Sequence, residues 1–535
     1  MGWIAIALAA AVLVPIAAVV SNIFSHGGAA WTHLLDTVLP GYLLTTAGLL
    51  IGVAYGVISI GVLSAWLVTA YRFPGHRLLE WALILPLAVP AYVMAYAYTD
   101  WLQFSGPVQT MLRELTGWRA REYWFPEIRS LGGAMAVLSF ALYPYVYLLA
   151  RAAFLDQSRA ASESARLLGH GAWGAFFKVA LPLARPGIAA GTALALMEAL
   201  ADFGAVSYFS VQTFTTGIYR AWLSLGDAVA AGQFASCLLA FVAMVLLIER
   251  VSRGKARYHN VTVRERAPRH RLRGFPAFAA FCACFAPFLF GFLLPLGILA
   301  KLAWDEGGVP GPRLLSLVGN TFTLAGATAL IAVLAATLMA YAGRVSRNTL
   351  VAGANRTAAL GYAIPGAVIA VGILIPLGRV DNMLADWFYA QFGVKTGLLF
   401  TGTVAALLYA YLVRFLAIAL QTVEAGLVRI TPSMDDASRS LGLGPGATLA
   451  RVHAPMLWGS LLSAGLLVFV DVMKELPATF AMRPFNFDTL AVEVYNLTKD
   501  ERLGEAAVPS LIIVAIGLVP LILLSKQMSG RSRSR

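Results

Sequence analysis

Long apolar runs separated by short polar segments make up nearly the whole chain. A run of about 20 apolar residues is what a helix needs to cross roughly 30 Å of hydrocarbon. Helices are the expected form, because lipid offers no partner to an unpaired backbone group. The pattern predicts helices near 3–23, 40–70, 79–100, 131–152, 186–209 and 229–249, and then near 275–301, 318–343, 357–379, 398–420, 457–480 and 507–525. The first run, Gly2 to about Phe24, lacks a basic leading region and a clear small-x-small cleavage site, so it reads as a retained helix and not a removed signal. Between the sixth and seventh helices lies the strongly polar segment Arg250 to Arg273. The expected organisation is an all-α polytopic membrane protein of about twelve spans: a six-helix half over 1–250, a linker over 251–274 and a second six-helix half over 275–535.

Composition removes the soluble alternative. The chain is 59% hydrophobic and 13% charged, where ordinary soluble domains are nearer a quarter charged. The formal charge of +13 could suggest nucleic acid, but its distribution argues otherwise. Of 40 Lys and Arg, 27 fall in the segments that this topology puts on one face, which makes that face cytoplasmic by the positive-inside rule and places both termini inside. The 250–273 segment therefore reads as a cytoplasmic linker in preference to a nucleic-acid or lipid-binding tract. Cys237, Cys282 and Cys284 lie in or beside apolar runs and read as packing residues.

The halves are related. Glu163-Ser164-Ala165-Arg166-Leu167-Leu168-Gly169 is followed by Leu181-Pro182, and Asp436-Ala437-Ser438-Arg439-Ser440-Leu441-Gly442 by Ala454-Pro455. In both, an acid stands six residues before a glycine and a proline thirteen after it. Ser162 to Leu168 and Met434 to Leu441 read as short helices, each ended by a glycine that can take a left-handed turn. Acids at their first turns favour the helix dipole. Pro182 and Pro455 are expected to break the segment that follows. Leu87-Ala88-Val89-Pro90 and Tyr362-Ala363-Ile364-Pro365 occupy corresponding third helices, and Glu198 and Asp202 match Asp471 and Glu475 at an offset of 273 residues. Two repeats of six helices share one orientation, and parallel repeats of this kind place the substrate path between the halves.

The acid-x-small-x-x-x-Gly pattern with its downstream proline resembles the EAA loop of ABC-importer permease subunits. The resemblance implies the type I permease fold and a coupling loop in each half, carried by Glu163, Ala165, Gly169 and Pro182 and by Asp436, Ser438, Gly442 and Pro455, that docks on a cytoplasmic ATPase subunit. Ala454 departs from the pattern, where a larger apolar residue usually precedes the proline. Asp202-Phe203-Gly204, Thr213 to Tyr219, Lys474 to Thr479 and Arg483 to Leu490 resemble fused, two-repeat ferric-iron permeases. That family pairs the permease with two ATPase copies and receives iron from a periplasmic iron-binding protein at the bacterial inner membrane. Fused permeases for thiamine or phosphonates share the architecture and are the nearest alternatives.

The chemistry-bearing residues fit such a subunit. The nearest approach to a phosphate-cradling loop, Gly254-Lys255-Ala256, lacks the upstream glycine and the hydroxyl for magnesium, so ATP hydrolysis is expected in a separate subunit and no cofactor in this chain. The seven histidines fall in predicted loops without ligand spacing, so no metal site is expected. Ionisable residues within a span cost roughly 2.5–3.5 kcal/mol each and tend to face a pore or one another. Glu198 with Asp202, and Asp471 with Glu475, stand four apart, which would put each pair on one helical face and make them candidates for the translocation path. Helix-end packing and salt bridges are the competing reading. Tyr219, Tyr495 and the loops around 210–228 and 481–506 are candidates for docking a delivery protein, with interfacial anchoring as the other reading of the tyrosines. A gradient-driven secondary transporter is the second class of function. A membrane enzyme is disfavoured for want of a nucleophile, metal cluster or cofactor loop.

Overall fold

The computed structural model describes residues 2–24, 37–119, 122–157, 171–253, 269–306, 311–346 and 348–533. Among them, 11 helices are long and apolar enough to cross a membrane, and a bent pair, His76–Ala88 with Ala91–Thr116, makes a possible twelfth. All twelve expected spans have a counterpart, from Gly2–Phe24 to Leu503–Ile522. The described strands are a two-residue parallel bridge, Tyr71–Arg72 with His270–Arg271.

The chain packs as two compact units, and neither is a contiguous half. One unit comprises residues 1–36, 217–239 and 309–496. Its centre is the trio Pro312–Val345, Val404–Leu427 and Ala454–Met473, and the N-terminal helix Gly2–Ser21 lies against Thr349–Ala358 and Gly366–Phe392. The other unit comprises 37–216, 240–308 and 497–535. Its centre is the matching trio Leu39–Ala70, Leu131–Leu155 and Leu181–Ala201, with Leu294–Asp305 packed on the C-terminal helix Leu503–Arg533. In each unit, therefore, the first helix of one sequence half lies on the core of the other half. Both trios are lined by small residues: Ala65, Ala134, Ala150 and Ala184 in one, and Ala325, Ala336, Ala417 and Ala464 in the other, are fully buried. Small side chains let helices approach where lipid supplies no hydrophobic driving force.

Three backbone irregularities recur in both repeats. The fourth helix starts alike, with Ser130 Oγ accepting from Gly133 N (3.1 Å) and Thr403 Oγ1 from Ala406 N (3.2 Å). The third helix, expected to run unbroken over 79–100 and 357–379, is interrupted at a proline each time. Pro90 (φ −59°, ψ 143°) and Pro365 (φ −58°, ψ 141°) stand just before Ala91–Leu102 and Gly366–Phe392. Proline lacks an N–H and pushes the residue before it out of the helical region; Val89 and Ile364 are extended accordingly. The first interruption bends the chain by 93°.

The third irregularity corrects the expectation for Pro182 and Pro455. Neither breaks the helix. Each follows one π turn, Phe176–Ala180 and Leu449–His453, and the spans run on as Trp173–Ala201 and Pro445–Met473. The widened turn, closed by Leu181 N and Ala454 N just before each proline, lets the chain stay helical across a residue that has no N–H to donate.

Candidate functional site

The second polar loop is the one that can be built in full; Glu163, Ala165 and Gly169 of the first lie outside the described residues. Pro432–Ser440 is a helix with proline in its first turn, where a missing N–H does no harm. It ends at Gly442, whose φ of +77° is a left-handed conformation that a β-branched residue resists. Gly442 N donates to Arg439 O (2.9 Å) and Leu443 N to Ser438 O (3.0 Å), the double bond of a Schellman cap. Ser438 is buried, its hydroxyl turned back on Met434 O, whereas Asp436 and Arg439 pair at 3.0 Å in solvent. Leu441 is 81% exposed beside them, an apolar tip on a polar helix.

The acid that ties this helix to the bundle is Asp435. Its Oδ2 receives Arg344 Nε at 2.9 Å and Nη2 at 2.8 Å, and His453 Nε2 stands 2.8 Å from its Oδ1. Arg344 also donates to Leu427 O (2.8 Å), the last residue of Val404–Leu427, and to Ile430 O (2.9 Å) three residues beyond it. His453, expected in a loop, is fully buried in the π turn, its ring edge-on to Tyr341 at 5.3 Å. The spacing rule singled out Asp436; Arg344 and His453 are distant in sequence, and no local pattern marks them.

The four intramembrane acids do not form two helical faces. The first helix ends at Ala201 and the second at Met473, so Asp202 and Glu475 lie beyond them, each within the break before a short helix. Asp202 Oδ1 accepts from Ala205 N (2.8 Å) and Val206 N (3.2 Å) at the start of Gly204–Tyr208. Glu475 accepts from Ala478 N (2.9 Å), Thr479 N (3.0 Å) and Thr479 Oγ1 (2.7 Å) at the start of Pro477–Met482. Both carboxylates thus satisfy orphan helix N–H groups. Glu475 is buried and also bonded to Arg414 at 3.3 Å, and Tyr411 hydrogen-bonds Thr479. Asp471 pairs with Lys474 at 2.8 Å, and Glu198 is half-buried one turn before the first break. Asp202 and Glu475 thus cap short helices, and Asp471 sits in a salt bridge.

Tyr219 and Tyr495 are buried and present no docking face. The Tyr219 hydroxyl donates to Pro477 O, and both rings rest on Phe480 at 6.0 and 5.1 Å. Among the described residues, His, Cys, Asp and Glu form no group able to hold a metal ion.

The described residues thus form a many-span helical membrane protein with two like trios of helices and a polar capped helix, Pro432–Ser440. Residues 57–253 match the family described as binding-protein-dependent transport system inner membrane component. The chain is 26% identical over 494 residues to the Fe(3+)-transport system permease protein FbpB 2 of Haemophilus influenzae, covering 90% of this chain and 89% of that one. It is 31% identical over 206 residues to the molybdenum transport system permease protein ModB of Escherichia coli, covering 37% of this chain and 87% of ModB. The sulfate permease CysT of E. coli is 27% identical over 253 residues, 46% of this chain and 87% of CysT. The chain belongs to the family of binding-protein-dependent transport system inner membrane components, as a multi-pass inner-membrane permease with the type I fold.

Proposed function

We propose that this chain is the permease subunit of an ATP-driven importer for ferric iron. The observation that carries the cargo is that the relative matched end to end, over 90% of this chain and 89% of its own, is an Fe(3+) permease; the molybdenum and sulfate permeases are shorter chains, each matched over 87% of its own length. In this reading both termini and the linker over 251–274 are cytoplasmic, and a periplasmic iron-binding protein delivers the cargo. The two tandem repeats each present one docking loop, so one chain engages two copies of an ATPase subunit that performs the hydrolysis. Glu163, Ala165, Gly169 and Pro182 form the first loop, and Asp436, Ser438, Gly442 and Pro455 the second. The capped helix with exposed Leu441 supports that role for the second, since an apolar tip amid solvated charge suits a groove on a partner.

Glu198, Asp202, Asp471 and Glu475 belong to the translocation path in the same reading. Asp202 and Glu475 hold its broken backbone in shape, and tight iron binding is left to the delivery protein. Proteoliposomes carrying the chain and its ATPase test the cargo directly. ATP-dependent uptake of ferric iron from the loaded binding protein, undiminished by excess molybdate or sulfate, is the expected result; uptake of either oxyanion in its place would overturn it. Gly442→Val tests the docking. Forcing φ of +77° on a β-branched residue costs of order 1–3 kcal/mol, and we expect ATP hydrolysis to continue while uptake falls.

A further inference from the structure

The second loop stands on an ionic seat. Arg344 ends Pro312–Val345, Asp435 lies in the first turn of the docking helix, and His453 closes the π turn. One guanidinium spans the carboxylate and the carbonyls of Leu427 and Ile430, and only an arginine fork supplies that many donors in one plane. The carboxylate's other oxygen meets a fully buried imidazole. Tyr341 completes the seat by donating to Pro445 O at 2.9 Å.

The second helices align at an offset of 275 residues, as Pro90 and Pro365 do, and the later segments at 273; the matching positions of the first repeat are then Thr69, Ser162 and Ala180, none of which carries charge. There the described residues pack aromatic rings instead. Trp66, which corresponds to Tyr341, meets Phe154 at 5.4 Å and Phe176 at 5.0 Å, and Trp173 meets Phe176 edge-on at 6.2 Å.

We propose that Arg344, acting through Asp435 and His453, positions the second docking helix so that movement of a partner is passed to three membrane helices at once. The inference rests on the docking role given to Pro432–Ser440. The Arg344 hydrogen bonds fix the helix against Pro312–Val345 and the end of Val404–Leu427, and His453 sets it beside the π turn that leads into Ala454–Met473.

The test uses the full chain in lipid nanodiscs, read by amide hydrogen exchange, and the same variants reconstituted with ATPase and binding protein. Asp435→Asn and Arg344→Lys should speed exchange of amides 434–443 by about tenfold or more, the scale of one lost charge-assisted hydrogen bond, with the Val404–Leu427 helix unchanged. In the reconstituted system the ATP consumed per ferric ion delivered should rise severalfold, and Asp435→Glu should restore most of the coupling. Unchanged exchange overturns the proposal. So does acceleration that spreads along Val404–Leu427, which marks general destabilisation, or local loosening with an unaltered ATP-to-iron ratio, which reduces the seat to a stability element. Gly442→Val run in parallel separates the two readings. If it uncouples while Asp435→Asn does not, docking stands and the seat falls; if neither uncouples, the docking reading itself falls.

Discussion

The breaks after Ala201 and Met473 occupy the same place in the two repeats yet are held by different chemistry. At the first, Asp202 caps a short helix by itself: position 141, which matches Arg414, is alanine, and position 91, which matches Gly366, is alanine as well. At the second, the longer Glu475 reaches across to Arg414 and caps at the same time. The space for that reach comes from Gly366, where a Cβ would stand 2.6 Å from Glu475 Oε1 and 3.0 Å from Arg414 Nη1. One extra methylene in the acid, one missing methyl opposite and one added guanidinium form a set. The lesson is that a duplicated feature keeps its backbone task, supplying acceptors to orphan N–H groups, while its electrostatic surroundings drift.

Substitutions can break this comparison. Glu475→Ala should have the largest effect, because it removes a cap and strips the buried Arg414 of its carboxylate, a loss of about 3–5 kcal/mol. It should give the steepest fall in the thermal midpoint of the detergent-solubilised chain. Gly366→Ala should come next, at about 1–3 kcal/mol, the usual range for overpacking. Adding Glu475→Asp to it shortens the acid to the pattern of the first repeat, and the double variant should recover part of the midpoint. Additive losses would deny the coupling. Asp202→Ala should cost about 1 kcal/mol, a cap without a buried cation. Ala91→Gly, which gives the first break the glycine of the second, should cost no more than about 1 kcal/mol by backbone entropy alone. If Asp202→Ala proved as damaging as Glu475→Ala, the distinction between the breaks would collapse.

These breaks also mark where the sequence stopped being legible. Apolar run length located every span, because the bilayer imposes one requirement that hydropathy reports directly. The same continuity hid the interruptions: Val89-Pro90 and Ile364-Pro365 are as apolar as their surroundings, so only the proline itself signalled a change of direction. Four-residue spacing pairs Asp202 with Glu198 and Glu475 with Asp471 on one helix, but the helix ends between the members of each pair. The capped helix Pro432–Ser440 is readable because its glycine and acid have fixed local spacing. Its seat is not, since Arg344 stands 91 residues before Asp435 and no spacing rule connects them. The exchange of first helices between the two compact units was equally out of reach, as tandem repeats in sequence say nothing about which core an outer helix covers.

The π turns before Pro182 and Pro455 have a mechanical consequence. Phe176–Ala180 and Leu449–His453 stand 273 residues apart, each between the polar loop and the membrane-crossing part of the same helix. A turn with one residue more than its neighbours resets the angular phase of everything on one side of it. Deleting that residue would leave both flanking stretches helical but rotate one against the other by about 100°, the angle of one α-helical residue. The bearing of Pro432–Ser440 around the helix that follows it is thus set by an inserted residue as well as by its contacts, and the first repeat carries a π turn at the same register.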